Sequence, residues 1–409
     1  MEILYPRCAG LDVHKESVAA CVLTPGPEAE PNKQIEQFGT TTSELRRLRD
    51  WLVTNGVTHA AMESTGVYWK PVFNILESAC QLILVNARHI KQVPGRKTDR
   101  ADCAWIASLL RHGLLEASFV PEAEVRQLRD LCRMRTTLVR ECVQVGNRLR
   151  KVLEDANIKL DSVASDALGI SGREMIGALM RGCSDPVELA ELARGRLRAK
   201  MPELEKALEG QVTAHHRFLL RELMRQLSFL EGQVARYAKQ IERQMRPFEW
   251  AAGLLMTMPG VDRTSACSLI AEIGVDMRRF ASSRHLASWA GLCPGNNESA
   301  GKQRSGKSHR GSRWIKGVMT EIAWAASRTK NTYSHAQFRK LAGHRGKKRA
   351  LMAVANSLLQ AAWHMLQNRQ EYKELGPDYL ERLNQNQLER SLVRRLESLG
   401  HKVTLEPAA

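Results

Sequence analysis

The chain has 409 residues and a formal net charge of +17. Its length allows two or three domains with their own cores. The sequence contains no apolar run of the ~18 residues that cross a bilayer, and its start lacks the layout of a signal peptide. The nine cysteines show no C-x-x-C spacing, which argues against a disulfide framework or a zinc site. We therefore expect a cytoplasmic protein that is not membrane-bound and whose basic charge attracts a polyanion.

The positive charge is concentrated in one stretch. Residues 301–350 contain fourteen Lys or Arg and a single acid, Glu321, so this window carries +13 of the +17. A patch of this kind is typical of a phosphate-binding surface.

Strand and helix patterns alternate over the first 120 residues. Period-two and period-3.6 runs of apolar residues predict the order β-β-β-α-β-α-β-α. We expect five strands in chain order: one that ends at Asp12 or Val13, and others at 17–23, 34–40, 58–62 and 82–86. We expect three helices: one that begins at Thr42 or Ser43, one that includes Val72 to Leu76, and one that begins near Asp99. This is the element order of the RNase H-like nuclease fold.

Acidic residues occupy three special places in this order. Asp12 ends the first strand, Glu63 follows the fourth, and Asp99 and Asp102 share one face of the last helix. Four carboxylates meeting at one sheet edge suit two Mg²⁺ ions, which prefer oxygen ligands and can clamp both oxygens of a phosphodiester displacement. Solvated acids screened by nearby arginines and lysines would give the same pattern without a metal.

The middle of the chain predicts two long helices. Apolar residues recur every three or four positions from 125 to 152 and again from 219 to 245, on either side of a mixed stretch at 160–210. The two stripes could pack within one subunit or form a coiled-coil dimer, and we expect the dimer. The first helix carries Arg133, Arg135, Arg140, Arg148, Arg150 and Lys151, which suit either a nucleic-acid backbone or a solvated basic face.

Two features of the last third point to nucleic acid. The turn MPGVD, with Gly260, lies between helix patterns and predicts a helix-hairpin-helix whose backbone N–H groups face a phosphate; simple packing is the alternative. Residues 288–317 form a glycine-rich loop with a basic ladder. The ladder residues are Lys302, Arg304, Lys307, Arg310, Arg313 and Lys316.

Five ordered motifs give the chain a resemblance to a known family. GLDVHK, MESTGVYW, KTDRADCAWIA, MPGVD and GLCPGNNESAGKQRSGKSHRGSRWIK are similar to motifs of the DEDD-type insertion-sequence transposases, relatives of the Piv invertases described as bridge-RNA-guided recombinases. The resemblance implies Mg²⁺, or Mn²⁺ in its place, on Asp12, Glu63, Asp99 and Asp102. It also implies that Ser299 of ESAGK is the nucleophile that joins DNA, with Ala300 where many relatives have glycine.

The same resemblance implies the partners and the assembly. These are double-stranded donor and target DNA, a structured guide RNA, and a homodimer or tetramer whose active site is shared between subunits. We expect an α/β plus α protein with four regions: the RNase H-like domain at 1–118, a helical coiled-coil region at 119–250, a mostly helical transposase domain at 251–370 and a helical tail at 371–409.

Two other functions fit the residues. A RuvC-like, structure-selective endonuclease would use the four acids and water, with Ser299 incidental. A non-enzymatic nucleic-acid-binding protein would need neither the four acids nor Ser299. An actin-like kinase fold shares the early strands, but we find no second glycine-rich phosphate loop.

Overall fold

The computed structural model of the chain divides into two compact units, Met1–Val120 and Pro121–Ala409. It describes residues 2–27, 30–64, 66–86, 102–295, 297–299, 302–305, 311–382 and 385–404. Within these ranges, no helix has both the length and the apolar character needed to cross a bilayer. The division at residue 120 falls close to the first predicted domain boundary, whereas the other predicted boundaries stay predictions.

The N-terminal unit is built on a five-stranded sheet. Its strands are β1 (Cys8–Val13), β2 (Ser17–Pro25), β3 (Pro31–Gly39), β4 (His59–Glu63) and β5 (Gln81–Val85), arranged in the order β3-β2-β1-β4-β5. The first three strands are antiparallel, and β1, β4 and β5 are parallel. This arrangement is that of the RNase H-like fold, so the predicted fold class of this unit is confirmed.

Helices cover both faces of the sheet. α1 (Thr42–Thr54) and α2 (Trp69–Leu76) pack on one face, against Leu11, Ala60 and other alternate strand residues. α3 (Asp102–Arg111) packs on the opposite face. Residues 87–101, which include Asp99, lie outside the described residues.

Several boundaries differ from the sequence prediction. β3 begins at Pro31, three residues early, because it is an edge strand with a mostly exposed surface and therefore lacks the alternating apolar signal. α1 is preceded by Thr41, whose side chain makes no capping hydrogen bond, so the predicted cap at Thr42 or Ser43 is wrong. β4 includes Glu63 as its last residue.

The two long helices pair within one chain. α4 (Ala123–Asp155) and α9 (Ala214–Met245) run antiparallel, with Asp155 at the end of α4 2.9 Å from His216 at the start of α9. Leu149 and Leu227 belong to their common core. Between them lie α5 (Leu160–Val163), α6 (Ile170–Arg181), α7 (Pro186–Glu191) and α8 (Met201–Leu208). Most residues of the apolar stripes thus pack within the subunit, and a dimer stays a prediction.

The rest of the chain is mostly helical. In chain order it contains α10 (Glu249–Met256), α11 (Arg263–Ile273), α12 (Ser283–Trp289), β6 (Asn297–Ser299), β7 (Lys302–Ser305), α13 (Arg313–Ala326), α14 (Tyr333–Arg345), α15 (Lys347–Asn368), α16 (Tyr379–Arg382) and α17 (Gln385–Ser398). α10 and α11 flank the predicted hairpin turn, and α17 corresponds to the predicted tail helix.

Candidate functional site

The sheet brings two of the predicted acids to one edge. Successive strand residues point to opposite faces, and Cys8 of β1 and Ala61 of β4 both point toward α3. Asp12 is an even number of positions from Cys8, and Glu63 is an even number of positions from Ala61. Both acids therefore lie on the face of the sheet that α3 covers. The parallel register pairs Leu11 with Met62, which puts Asp12 and Glu63 side by side at the carboxyl ends of neighbouring strands.

A glycine brings the third acid to this edge. A Cβ atom on Gly10 would lie 2.1 Å from the carbonyl oxygen of Cys103 and 2.4 Å from the backbone nitrogen of Ala107. The backbone of α3 therefore rests directly on β1, which only glycine permits. Asp102, in the first turn of α3, precedes Cys103. Burial raises the pKa of the Cys103 thiol, and the charge of Asp12 adds to this shift, consistent with Asp12 being close to the start of the helix.

His14 is a neighbour of the acids that the sequence reasoning missed. Its Nε2 lies 3.0 Å from Oδ2 of Asp12. The Asp12 side chain is 18% exposed and the His14 side chain 66% exposed. The signal was present in the motif GLDVHK, because two residues separated by one position can meet where a strand enters a turn.

The acids provide oxygen ligands only, and this is the chemistry that Mg²⁺ prefers. Within the described ranges, however, no group of three or more His, Cys, Asp and Glu side chains is arranged to hold a metal ion. Asp99 belongs to the segment outside those ranges. The donor types therefore fit Mg²⁺, while the complete ligand set stays a prediction.

Ser299 lies in a short hairpin that the sequence analysis treated as a loop. β6 and β7 pair antiparallel, with Ser299 opposite Lys302 and Asn297 opposite Ser305. Alternation of apolar residues could not reveal these strands, because both consist of polar residues. Ser299 ends β6, immediately before the two-residue connection to β7.

The basic ladder divides between this hairpin and the next helix. Lys302 and Arg304 are in β7, whereas Arg313 and Lys316 are in the first turn of α13, where Ser312 caps the helix through the backbone N–H of Trp314. Lys307 and Arg310 lie outside the described residues.

Gly260 has a clear packing role. Its φ is +82°, and a Cβ there would lie 2.5 Å from the Ile322 carbonyl oxygen and 2.6 Å from the Ala326 nitrogen. The turn is thus packed on α13, which accounts for the glycine without a ligand. A helix-hairpin-helix contact with nucleic acid stays a prediction.

A buried ion pair links α4 to α11. Glu272 is nearly fully buried and accepts two hydrogen bonds from Arg133, at 2.7 and 2.8 Å. Arg129 donates to the carbonyl oxygens of Ala271 and Glu272 at the end of α11. Burial lowers the pKa of Arg129 to about 10, and the Glu272 charge opposes that shift.

Arginines from two helices gather around one indole in the same region. The guanidinium carbons of Arg133, Arg140 and Arg313 lie 5.5, 5.3 and 4.9 Å from the ring centroid of Trp314. Arg133 and Arg140 were predicted only as members of a basic helix face. Their convergence on Trp314 could not be read from the sequence, because more than 170 positions separate each of these two arginines from this ring.

Family comparisons match both units. Residues 9–158 match a family model of IS110 DEDD transposases, described as "Transposase", and residues 252–339 match the "Transposase IS116/IS110/IS902 family".

Curated relatives extend over most of the chain. The chain is 27% identical over 320 residues to the "Probable family 20 transposase" of Pseudomonas aeruginosa, covering 76% of this chain and 85% of that protein. It is 25% identical over 399 residues to the "Insertion element IS110 uncharacterized 43.6 kDa protein" of Streptomyces coelicolor, covering 90% and 96%. It is 21% identical over 376 residues to the "Transposase for insertion sequence element IS1111A" of Coxiella burnetii, covering 90% and 91%.

One solved structure is similar to part of the chain. The "Thermus thermophilus RuvC structure" matches 27% of this chain and 99% of its own, at 13% identity and a TM-score of 0.21.

Proposed function

Because the chain belongs to the IS110 family of insertion-sequence transposases, which are DNA strand-transfer enzymes, we propose that it cuts and rejoins DNA with Asp12, Glu63, Asp99 and Asp102 as metal ligands and Ser299 as nucleophile. The observation that carries this proposal is the common edge of the sheet: Asp12 and Glu63 end adjacent parallel strands on the face covered by α3, and Asp102 begins α3.

The acids are suited to hold divalent metal ions. The ligands would be the carboxylates of Asp12, Glu63 and Asp102, completed by Asp99. Bound Mg²⁺ supplies positive charge that stabilises the phosphodiester transition state. His14 contacts Oδ2 of Asp12 and would help to orient this carboxylate.

Ser299 gives the reaction a covalent intermediate. Its hydroxyl oxygen forms a bond to the scissile phosphorus while the bond from that phosphorus to the leaving deoxyribose oxygen breaks. The serine proton passes to solvent, and the leaving oxygen takes up a proton. Because the serine ester retains the energy of the broken bond, a deoxyribose hydroxyl can reverse the step and reseal a strand without ATP. Its position supports this role, since Ser299 ends β6 beside a strand that carries Lys302 and Arg304.

Sequence specificity belongs to the proposal as well. The chain is rich in arginine and lysine, which bind backbone phosphates but do not read bases, and the sequence shows no obvious recognition helix. We assign site selection to a structured guide RNA that pairs with donor and target DNA. A homodimer or tetramer would hold both DNA partners, so the protein would act as a site-specific recombinase.

The test is a covalent trap. The purified protein is incubated with Mg²⁺, duplex DNA carrying element ends, and the RNA that copurifies with it, and denaturing gels then detect a protein–DNA adduct. We expect Ser299→Ala to abolish the adduct and Asp102→Asn to abolish both adduct and cleavage, while both variants still bind DNA. The matched controls Ser305→Ala, in the same hairpin, and Asp50→Asn, exposed on α1, should behave as wild type.

Other results would replace the proposal. Cleavage that survives in Ser299→Ala without an adduct would favour the RuvC-like, structure-selective endonuclease. Unchanged recombination in Asp102→Asn would favour a role in binding alone. Recombination with no RNA present would remove the guide from the proposal.

A further inference from the structure

A groove of about 190 Å³ opens between α4, α11 and α13 in the helical unit. Arg133, Arg135 and Arg140 enter it from α4, and Trp314 enters it from α13. Hydroxyl groups from the first turns of α11 complete the lining, at Thr264, Ser265 and Ser268.

The indole of Trp314 holds the arginines at this groove. Guanidinium groups over an aromatic face gain about 0.5–1 kcal/mol at exposed sites. The guanidinium carbons of Arg140 and Arg313 lie over the same ring, at 5.3 and 4.9 Å from its centroid. The distance between these two carbons therefore cannot exceed the sum of the two distances. Phosphates follow one another every ~3.4 Å along the axis of one DNA strand, so this pair could contact a strand at neighbouring phosphates.

Arg135 and Arg140 in the groove, and Arg313 beside it, form no ion pair with a carboxylate in the described part of the chain. No described carboxylate oxygen lies within 4.0 Å of Arg135, Arg140 or Arg313. Arg140 and Arg313 are exposed, whereas Arg135 is half-buried in the groove. The charge of Arg135 interacts with that of Asp262 in the same groove, so the exposed guanidiniums of Arg140 and Arg313 are the ones that an anion would neutralise.

Three acids, Asp262, Glu272 and Glu321, line the groove together with three arginines. Glu272 is neutralised by Arg133 at 2.7 Å. The carboxylate of Asp262 accepts hydrogen bonds from the backbone and hydroxyl of Ser265. Glu321 is exposed on α13 and would oppose an anion only from the rim. The carboxylate of Asp262 keeps its negative charge and interacts with that of Arg135. The charge available to a ligand is therefore that of the exposed arginines over Trp314, which are Arg140 in the groove and Arg313 beside it.

We infer that this groove, here called the Arg–Trp groove, is a binding site for the phosphodiester backbone of a polynucleotide. The inference rests on the proposed function for the presence of nucleic acid. It adds a contact surface outside the glycine-rich loop, because the three arginines that line the groove, Arg133, Arg135 and Arg140, all lie on α4. These arginine side chains bind phosphates, so the site contributes affinity and orientation and does not read sequence.

The test compares two double variants of α4 in the full-length protein. Arg135→Gln with Arg140→Gln removes two charges from the groove. Arg148→Gln with Lys151→Gln removes two exposed charges from the same helix outside it. Affinity for a mixed-sequence duplex DNA and for a hairpin RNA is measured against salt in EDTA, so that cleavage does not contribute.

For the groove variant we expect the salt slope to fall by roughly one unit for each lost phosphate contact, and affinity at 0.1 M salt to fall on the order of tenfold per arginine. The control variant should keep most of the wild-type slope. A change with only one of the two probes assigns the groove to DNA or to RNA, and either result supports the inference. Arg140→Gln alone removes an exposed side chain, and its melting temperature should match that of wild type.

Two outcomes would overturn the inference. Equal slope changes in the two double variants would mean that α4 is a uniformly basic face without a special groove. An unchanged slope in the well-folded Arg140→Gln and in the groove variant would mean that no backbone binds there. Loss of cleavage by Asp102→Asn is independent of both outcomes, since binding is measured without metal.

Discussion

The acids of the sheet unit and the arginines of the helical unit are positioned by different physical means. Asp12, Glu63 and Asp102 are distant in sequence. Strand register puts Asp12 beside Glu63, and the close approach of α3 at Gly10 places the start of that helix, which carries Asp102, against β1. Arg133 and Arg140 lie on one helix, and side-chain contacts with Glu272 and Trp314 arrange them.

The difference suggests what each site tolerates. Metal ligands need positions fixed to about half an ångström, which hydrogen-bonded strands provide. Phosphate contacts on a long polymer tolerate more movement, and flexible arginines that rest on an indole satisfy this need. Backbone changes should therefore damage the acid site, and charge changes should damage the arginine site.

The largest expected effect is on the buried ion pair of the helical unit. Glu272→Gln removes the counter-charge of Arg133 and leaves the buried Arg129 beside an uncharged neighbour. Removing one partner of a buried pair costs about 3–5 kcal/mol, so urea denaturation followed by circular dichroism should show a loss of that size. We also expect weaker nucleic-acid binding, because Arg133 would no longer be held at the Arg–Trp groove.

The matched control is an exposed pair on α9. Glu222 lies 2.7 Å from Arg225 one turn away, with both side chains largely in solvent. Glu222→Gln should cost less than about 1 kcal/mol. If the two variants lost equal stability, burial of the Glu272 pair would have no special weight and the contrast between the units would fail.

The next effect concerns the backbone contact in the sheet unit. Gly10→Ala places a Cβ 2.1 Å from the Cys103 carbonyl oxygen, so α3 must shift away from β1. Overpacking of this kind costs about 1–3 kcal/mol. The shift also moves Asp102 relative to Asp12, so we expect Mg²⁺-dependent cleavage to fall more steeply than stability while DNA binding remains.

Gly232 provides the control for this change. It lies within α9, and a Cβ there would meet no atom within 4 Å. Gly232→Ala should therefore stabilise the protein by up to ~1 kcal/mol through helix propensity. Normal cleavage by Gly10→Ala would show that the position of Asp102 does not depend on the approach of α3.

Much of the sheet unit could be predicted from sequence, and for a physical reason. Its central strands are buried and carry continuous or alternating apolar residues, and turns or amphipathic helices separate them along the chain, so their order and approximate bounds follow from the apolar period alone. β3 was predicted least well, because an exposed edge strand shows no such pattern. The β6–β7 hairpin was missed because all its residues are polar or charged.

The residues of the candidate sites also differ in whether the sequence could identify them. The acids could be named because strand ends and helix starts are visible in the sequence. The roles of Gly10 and Trp314 could not, because each depends on a partner far along the chain: Cys103 for Gly10 and α4 for Trp314. The choice between an intramolecular helix pair and a dimer was equally hidden, since both bury the same apolar stripes.

The smallest expected effect concerns Asp262, whose side chain is hydrogen-bonded to a helix backbone. It sharpens the comparison because the contact combines a side chain with backbone geometry. Asp262 caps α11 by accepting hydrogen bonds from the backbone N–H and the hydroxyl of Ser265, at 2.8 and 2.5 Å. Burial by itself would raise the pKa of this carboxyl, but these hydrogen bonds, together with the charge of Arg135, bring it below its usual value of 3.8. Asp262→Ala should cost about 1 kcal/mol at neutral pH.

The pH dependence identifies the cause of that loss. A carboxyl whose pKa is lower in the folded state stabilises the fold above its unfolded pKa, and this contribution disappears as the pH falls through the folded value. The stability difference between wild type and Asp262→Ala should therefore be constant from pH 7 to about 5 and shrink below about pH 4. Ser312→Ala removes an uncharged cap from α13, so its cost should not change over that range. A constant difference for both variants would mean that Asp262 acts through hydrogen-bond geometry alone, as the neutral cap does, and that its charge adds nothing to the helix.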